Sequence, residues 1–186
     1  MKPLFLTAHY DDLEVCAGGT AERYGGTSIV FHPHEDHGKE EEAEEAAFLL
    51  GIETVNAKRH ASDRDMIAWL DFVAEPFDTI VSTSPYDSHP EHQAVASLAR
   101  QVARRNNMGL WFMDHAIPGG FGNGPRPNRF VKFGKTSKYE AMRSYRGMMR
   151  QYGSEWPSAV ACRDRYYGWM HDGYYAEGFI VENQIT

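Results

Sequence analysis

The sequence predicts an α/β fold in which a mostly parallel central sheet is flanked by helices. Two observations carry this reading. Short apolar runs alternate with helical patterns along the chain, as successive βαβ units require. Two polar clusters, Thr7 to Thr20 and Ser84 to His92, each follow an apolar run and lead into a helical pattern. Both therefore fall at the C-terminal ends of strands, the edge at which open α/β sheets bind ligands.

In chain order, Leu4, Phe5 and Leu6 read as the first strand, and Thr20 to Tyr24, after Gly18 and Gly19, as a helix start. Thr27 to Phe31 is a second strand that ends in the loop from His32 to Gly38. The helix from Lys39 to Leu50 puts Ala43, Ala46, Ala47 and Leu50 on its buried face. Glu40, Glu41, Glu42, Glu44 and Glu45 form a solvated acidic run in its N-terminal half, where the macrodipole favours negative charge. Glu53 to Lys58 is a third strand, and Asp63-Arg64-Asp65 precedes a helix with Met66, Trp69, Leu70 and Val73 at core spacing.

Phe77 to Ser82 is the fourth strand. Pro90 suits the first turn of the next helix, where Val95, Leu98, Ala99 and Val102 recur at helical spacing and Arg104 and Arg105 complement the C-terminal dipole. Leu110 to Met113 is a fifth strand, and the Gly- and Pro-rich stretch from Ile117 to Asn128 reads as a loop bordering a substrate mouth. A short strand from Phe130 leads to a helix over Lys138 to Gln151. Its basic residues Lys138, Arg143, Arg146 and Arg150 read as surface, with pairing to another subunit's acidic helix in a homo-oligomer as the alternative. Tyr166, Tyr167, Trp169, Tyr174, Tyr175 and Phe179 suit a C-terminal segment packed over the sheet.

A chain of 186 residues is expected to form one domain, residues 1 to 186, burying roughly 70% of its unfolded surface. The net charge of -7 argues against a nucleic-acid binder that works by neutralising phosphates. No apolar run approaches the roughly 18 residues of a membrane span, and the N-terminal run is too short for a signal peptide. Cys16 and Cys162 are the only cysteines and suggest neither a disulfide framework nor a thiolate zinc site. A cytoplasmic protein is the expectation. Gly18-Gly19 lacks the Gly-x-Gly-x-x-Gly spacing of a dinucleotide site.

The two clusters bring together His9, Asp11, Asp12, His89, Glu91 and His92. Imidazole nitrogen and carboxylate oxygen suit zinc, which in catalytic sites takes three protein ligands and leaves a position for water. These ligand types discriminate poorly between zinc and another divalent ion such as Fe2+.

Ala8-His9-Tyr10-Asp11-Asp12, followed by Gly18-Gly19-Thr20, and His89-Pro90-Glu91-His92 resemble the two motifs of the de-N-acetylase family. That family includes the N-acetylglucosaminyl-phosphatidylinositol deacetylases and the LmbE-like bacterial enzymes, zinc hydrolases on a Rossmann-like three-layer fold. The resemblance extends through Glu41 to Ile52, Lys138 to Gln151 and Tyr175 to Phe179, and so covers most of the chain. Tyr10 stands where the family has proline, and Glu91 where it has aspartate. The resemblance implies His9, Asp12 and His92 as ligands of one zinc ion and Asp11 as general base. It implies His89 as oxyanion stabiliser and proton donor, with Glu91 orienting it. Asp87 and Tyr86 are helpers without a decisive signal.

The implied activity is zinc-dependent hydrolysis of an N-acyl group, N-acetyl preferred, from an amino sugar or sugar conjugate. The alternatives are a metal-dependent amidase on a non-sugar amide and a relative that binds zinc or a ligand without turnover. Arg59 and Arg64, near the expected active edge, are substrate-binding candidates with a plain surface role as the alternative, and His115, after the fifth strand, is one with a structural hydrogen-bonding role as the alternative. The loop from His32 to His37 reads as exposed loop, pocket rim or second metal site.

Overall fold

The computed structural model describes residues 1–32, 37–57, 62–115, 124–134 and 137–183. Arg59, the centre of the His32 to His37 loop and most of the Ile117 to Asn128 loop lie outside the described residues.

Strand β1 (Pro3–Thr7) is followed by α1 (Asp12–Tyr24), β2 (Thr27–Val30), α2 (His37–Leu50), β3 (Glu53–Asn56) and α3 (Asp63–Ala74). Then come β4 (Thr79–Ser82), α4 (Pro90–Asn106), β5 (Gly109–Met113) and β6 (Arg129–Phe133). Helices α5 (Lys138–Ser144), α6 (Arg146–Tyr152) and α7 (Trp156–Met170) precede the last strand, β7 (Tyr175–Asn183). The sheet order is β3-β2-β1-β4-β5-β7-β6. The first five strands pair parallel, and β7 is antiparallel to both β5 and β6.

Strand alternation divides the core between the two faces of the sheet. Phe5, Val30, Val81, Trp111 and Met113 pack with Leu13, Ala17, Ala46 and Leu50. Leu4, Leu6, Ile29, Ile80 and Phe112 pack on the other side with Leu70, Val95, Ala99 and Val102. Each fully buried Leu, Ile or Phe contributes about 1.5–3 kcal/mol. The result is the expected three-layer α/β architecture.

The order of the strands fixes where the site lies. From β1 the chain moves outward to β2 and β3, then returns to place β4 on the other side of β1. The crevice beyond the carboxyl ends of β1 and β4 is therefore a topological switch point, where such sheets bind ligands. With Leu6 opposite Ser82, the segments leaving the two strands start side by side.

Several elements differ from expectation. Helix α1 begins at Asp12, so Gly18 and Gly19 lie inside it. They are there for close approach: a Cβ at Gly18 would stand 3.0 Å from Lys138 Cγ, and one at Gly19 2.5 Å from Phe133 Cγ. The predicted helix over Lys138 to Gln151 is two helices, broken where Tyr145 takes φ -77 and ψ 77. The aromatic-rich tail supplies both α7 and a strand inserted in the sheet between β5 and β6. Phe179 is fully buried, whereas Trp169 and Tyr174 are exposed.

Lys138 is not a surface residue. It is fully buried, with Nζ 2.6 Å from Asp164 and 2.7 Å from Glu177. Glu177 also accepts bonds from the Gly19 amide at 2.8 Å and from the Thr20 amide and hydroxyl at 2.7 and 2.6 Å. Arg163 donates to the Val15 carbonyl, the group that the Gly19 amide would engage in a regular helix. Side chains from α7 and β7 thus satisfy α1 backbone groups at the glycine pair. Burial of these charges is tolerable because each is paired and hydrogen-bonded.

The acidic run on α2 is exposed except for Glu42, which is buried. Arg146 pairs at 2.8 Å with Glu45 of the same chain, so for this residue the acidic partner is internal.

Candidate active site

The segment after β1 turns into α1 through Asp11, which occupies the N-cap position. The Asp12 carboxylate folds back on the turn, and its Oδ2 accepts from the amides of Ala8 at 3.0 Å and His9 at 2.8 Å. That leaves Oδ1 facing His92 Nε2 at 3.2 Å. His92 lies in the first turn of α4, where Thr83 donates to its carbonyl, and His89 is the N-cap residue of that helix.

His92 Nε2 is 3.2 Å from His9 Nδ1, and His9 Nδ1 is 3.7 Å from Asp12 Oδ2. A tetrahedral ion with ligands at about 2.0–2.1 Å separates them by about 3.3 Å. The donor set, two nitrogens and a carboxylate at nearly that spacing, fits a divalent metal such as zinc. One donor atom from each of His9, Asp12 and His92 lies within 4.8 Å of the others, so the three can hold such an ion, although the two distances to Asp12 run to different oxygens of its carboxylate.

Around these donors, His9 Nε2 lies 2.6 Å from Glu91 Oε2. This contact places a carboxylate acceptor on Nε2 and leaves Nδ1 directed toward Asp12 and His92, the orienting role that carboxylates commonly play behind metal-binding histidines. The other Glu91 oxygen lies 3.5 Å from His32 Nδ1, while His89 Nδ1 is 3.8 Å from Glu91. Among the described residues the nearest histidine to Glu91 is therefore His9, whereas the family resemblance pointed to His89. The ring of His89 is 4.8 Å from that of His9 and 5.0 Å from that of His92, and its side chain is half exposed.

The electrostatics are those of a cation site. Burial alone would lower His9, but Asp12 and Glu91 outweigh it and raise the imidazole to about 9. Burial alone would raise Asp12, yet His9 and His92 hold it well below the carboxylate range. Burial and the adjacent Asp12 charge push Asp11 up to about 6. Asp12 and Glu91 thus favour positive charge on His9, and Asp11, next to Asp12, is a carboxyl of raised basicity.

His115 follows β5 and joins the cluster, its ring 4.7 Å from that of His92. Arg64 is exposed in the first turn of α3, and among the described residues none of the cluster's contacts involves it. His32 reaches Glu91, so the start of the His32 to His37 loop borders the site.

Three residues to which the sequence gave no definite role also belong here. Asp87 Oδ2 lies 3.0 Å from His92 Nδ1; the only signal was its place two residues before His89, whose amide it caps at 2.8 Å. Tyr145, buried at the break between α5 and α6, donates to the Tyr10 carbonyl at 2.6 Å and secures the turn in which the family has proline. Glu14 is buried behind Asp11, and burial pushes it up to about 8. No local pattern distinguished Tyr145 or Glu14 from an ordinary helix residue.

No protein-family model matches the chain, and no curated protein does. Solved structures share its fold. A conserved protein, TT1542, from Thermus thermophilus superposes with a TM-score of 0.79 at 21% identity, over 100% of this chain and 96% of that one. The N,N'-diacetylchitobiose deacetylase from Pyrococcus horikoshii gives a TM-score of 0.70 at 19% identity, over 97% and 83%. The zinc-inhibited form of teicoplanin deacetylase Orf2 gives 0.71 at 14% identity, over 100% of both chains. The fold is thus one that deacetylases use, consistent with the resemblance to the LmbE-like family.

Proposed function

We propose that this chain is a metal-dependent hydrolase that removes an N-acyl group, N-acetyl preferred, from an amino sugar or sugar conjugate. The observation that carries the reading is the convergence of His9 Nδ1, Asp12 and His92 Nε2 at the switch point between β1 and β4. The deacetylases that share the fold support the choice of reaction.

A zinc ion, or Fe2+ in its place, held by His9, Asp12 and His92 would supply positive charge that acidifies water and polarises an amide carbonyl. Asp11, free of that ligand set, takes the proton as water attacks the carbonyl carbon. His89, half exposed at the start of α4, donates a hydrogen bond to the oxyanion of the tetrahedral intermediate; loss of one such donor costs about 10²–10³ in rate. A proton passed from His89 or from protonated Asp11 to the nitrogen lets the amine leave and the carboxylate form. Glu91 keeps His9 in the tautomer that binds through Nδ1.

The test is amine release from a panel of N-acetylated sugars, sugar conjugates and simple amides, with the Asp11→Asn variant as blank. Because one neighbour is a zinc-inhibited form, each assay is run with stoichiometric zinc, with excess zinc and with Fe2+. Release from a sugar member alone supports the proposal. Release from simple amides alone points to the amidase alternative, and silence with metal verified in the site points to binding without turnover.

A further inference from the structure

Among the described residues, Asp87 is the carboxylate near two histidines of this cluster, His92 and His115, that the proposed chemistry leaves without a task. It sits in the turn between β4 and α4, where its amide donates to the Ser84 carbonyl and its own carbonyl accepts from Gln93 Nε2 at 2.7 Å. Oδ1 accepts from the His89 amide at 2.8 Å. Oδ2 lies 3.0 Å from His92 Nδ1 and 3.8 Å from His115 Nδ1. His92 Nδ1 and both ring nitrogens of His115 are buried with no well-aligned hydrogen-bond partner among the described residues. The two rings lie 4.7 Å apart at 37°. A single carboxylate, its other oxygen held by the His89 amide and its backbone by Ser84 and Gln93, is thus the acceptor within reach of both.

We infer that Asp87 is a positioning residue that fixes His92 and His115 together, holding the proton of His92 on Nδ1 so that Nε2 faces the metal, and setting His115 beside it to hydrogen-bond substrate. The inference rests on the metal-dependent reading above. Its physical basis is general: a histidine that binds a metal through one nitrogen is oriented by the acceptor on the other. The arrangement mirrors that of His9 and Glu91 with the nitrogens exchanged, since His9 is held through Nε2 and His92 through Nδ1. His115, placed after β5, carries the same carboxylate's influence to a third strand end.

The experiment measures zinc affinity by competition with a chromophoric chelator, and the visible spectrum of the cobalt-substituted protein, for wild type, Asp87→Asn and His115→Ala. Asp87→Asn keeps the size of the side chain and an oxygen for the His89 amide. It should weaken zinc binding about 10- to 100-fold and alter the cobalt spectrum. His115→Ala should keep one zinc per chain with wild-type affinity and raise KM for the substrate identified by the panel.

Wild-type affinity and spectrum in Asp87→Asn would overturn the inference. So would two zinc ions per wild-type chain falling to one in both variants, which would make Asp87, His92 and His115 a second metal site. Failure of wild type to bind zinc at all would instead overturn the metal-dependent reading itself. Should Asp87→Asn not fold, nitrogen-proton correlation spectra of the histidine rings in zinc-loaded wild type decide: His92 protonated at Nδ1 supports the inference, and the other tautomer ends it.

Discussion

Glu91 lies 82 positions from His9 in sequence, yet its Oε2 stands 2.6 Å from His9 Nε2, so the second motif holds a member of the first. Glu91 is nearer to His9, a proposed metal ligand, than to His89, the proposed proton donor, at 2.6 against 3.8 Å. Glu91→Gln is expected to weaken metal binding about 10-fold, read by chelator competition. A Glu91 that served His89 alone would leave affinity untouched and alter only turnover.

Asp11 and His92 separate in the same assays. Asp11→Asn should retain stoichiometric metal and lose about 10²–10⁴ in kcat, the usual share of a general base. His92→Ala should lose the metal itself, measured by elemental analysis after gel filtration. Turnover at the wild-type level in the Asp11 variant would remove its assignment as base.

Lys138 pairs with both Asp164 and Glu177, and all three side chains are fully buried. Lys138→Met leaves two buried carboxylates short of a partner and should cost about 3–5 kcal/mol in denaturant unfolding. A loss below about 1 kcal/mol, the size of a surface pair, would show that the cluster is hydrated in solution.

The glycine pair of α1 gives a contrast in sterics. A Cβ at Gly19 would stand 2.5 Å from the Phe133 ring, whereas one at Gly134 meets nothing within 4 Å among the described residues. Gly19→Ala is expected to destabilise by about 1–3 kcal/mol, through overpacking. Gly134→Ala should stay within about 0.5 kcal/mol, and equal melting temperatures for the two variants would contradict the packing.

Asp78 sets an acid-side dependence away from the site. Its carboxylate accepts from the Lys2 amide at 2.9 Å and the Thr79 hydroxyl at 2.6 Å; burial alone would raise it, but these bonds hold it below its ordinary value. A depressed carboxylate stabilises the fold above its unfolded pKa, and that stability is lost as pH falls through the folded value. With the side chain 47% exposed, the contribution is below about 1 kcal/mol. Asp78→Asn should lower stability at neutral pH by that amount and match wild type once pH is below the carboxylate range. A difference that persists in acid would point to lost packing instead.

The sequence by itself determined the α/β class, the core faces of α2 and α4 and the strand ends where polar clusters collect, because hydrophobic period and turn chemistry are local properties. His9, Asp12, His89 and His92 stood out for the same reason, each next to a strand's end. Only the tertiary structure decided which groups meet. The switch point arises because β4 pairs with β1, a long-range choice that no local window encodes. Glu91 finds His9, Asp87 finds His92, and Lys138 leaves the predicted surface for a buried pair of carboxylates, because α7 and β7 fold back over α1. Partners distant in sequence are selected by the energy of burying charge with its complement, and that energy exists only once the chain has closed around them.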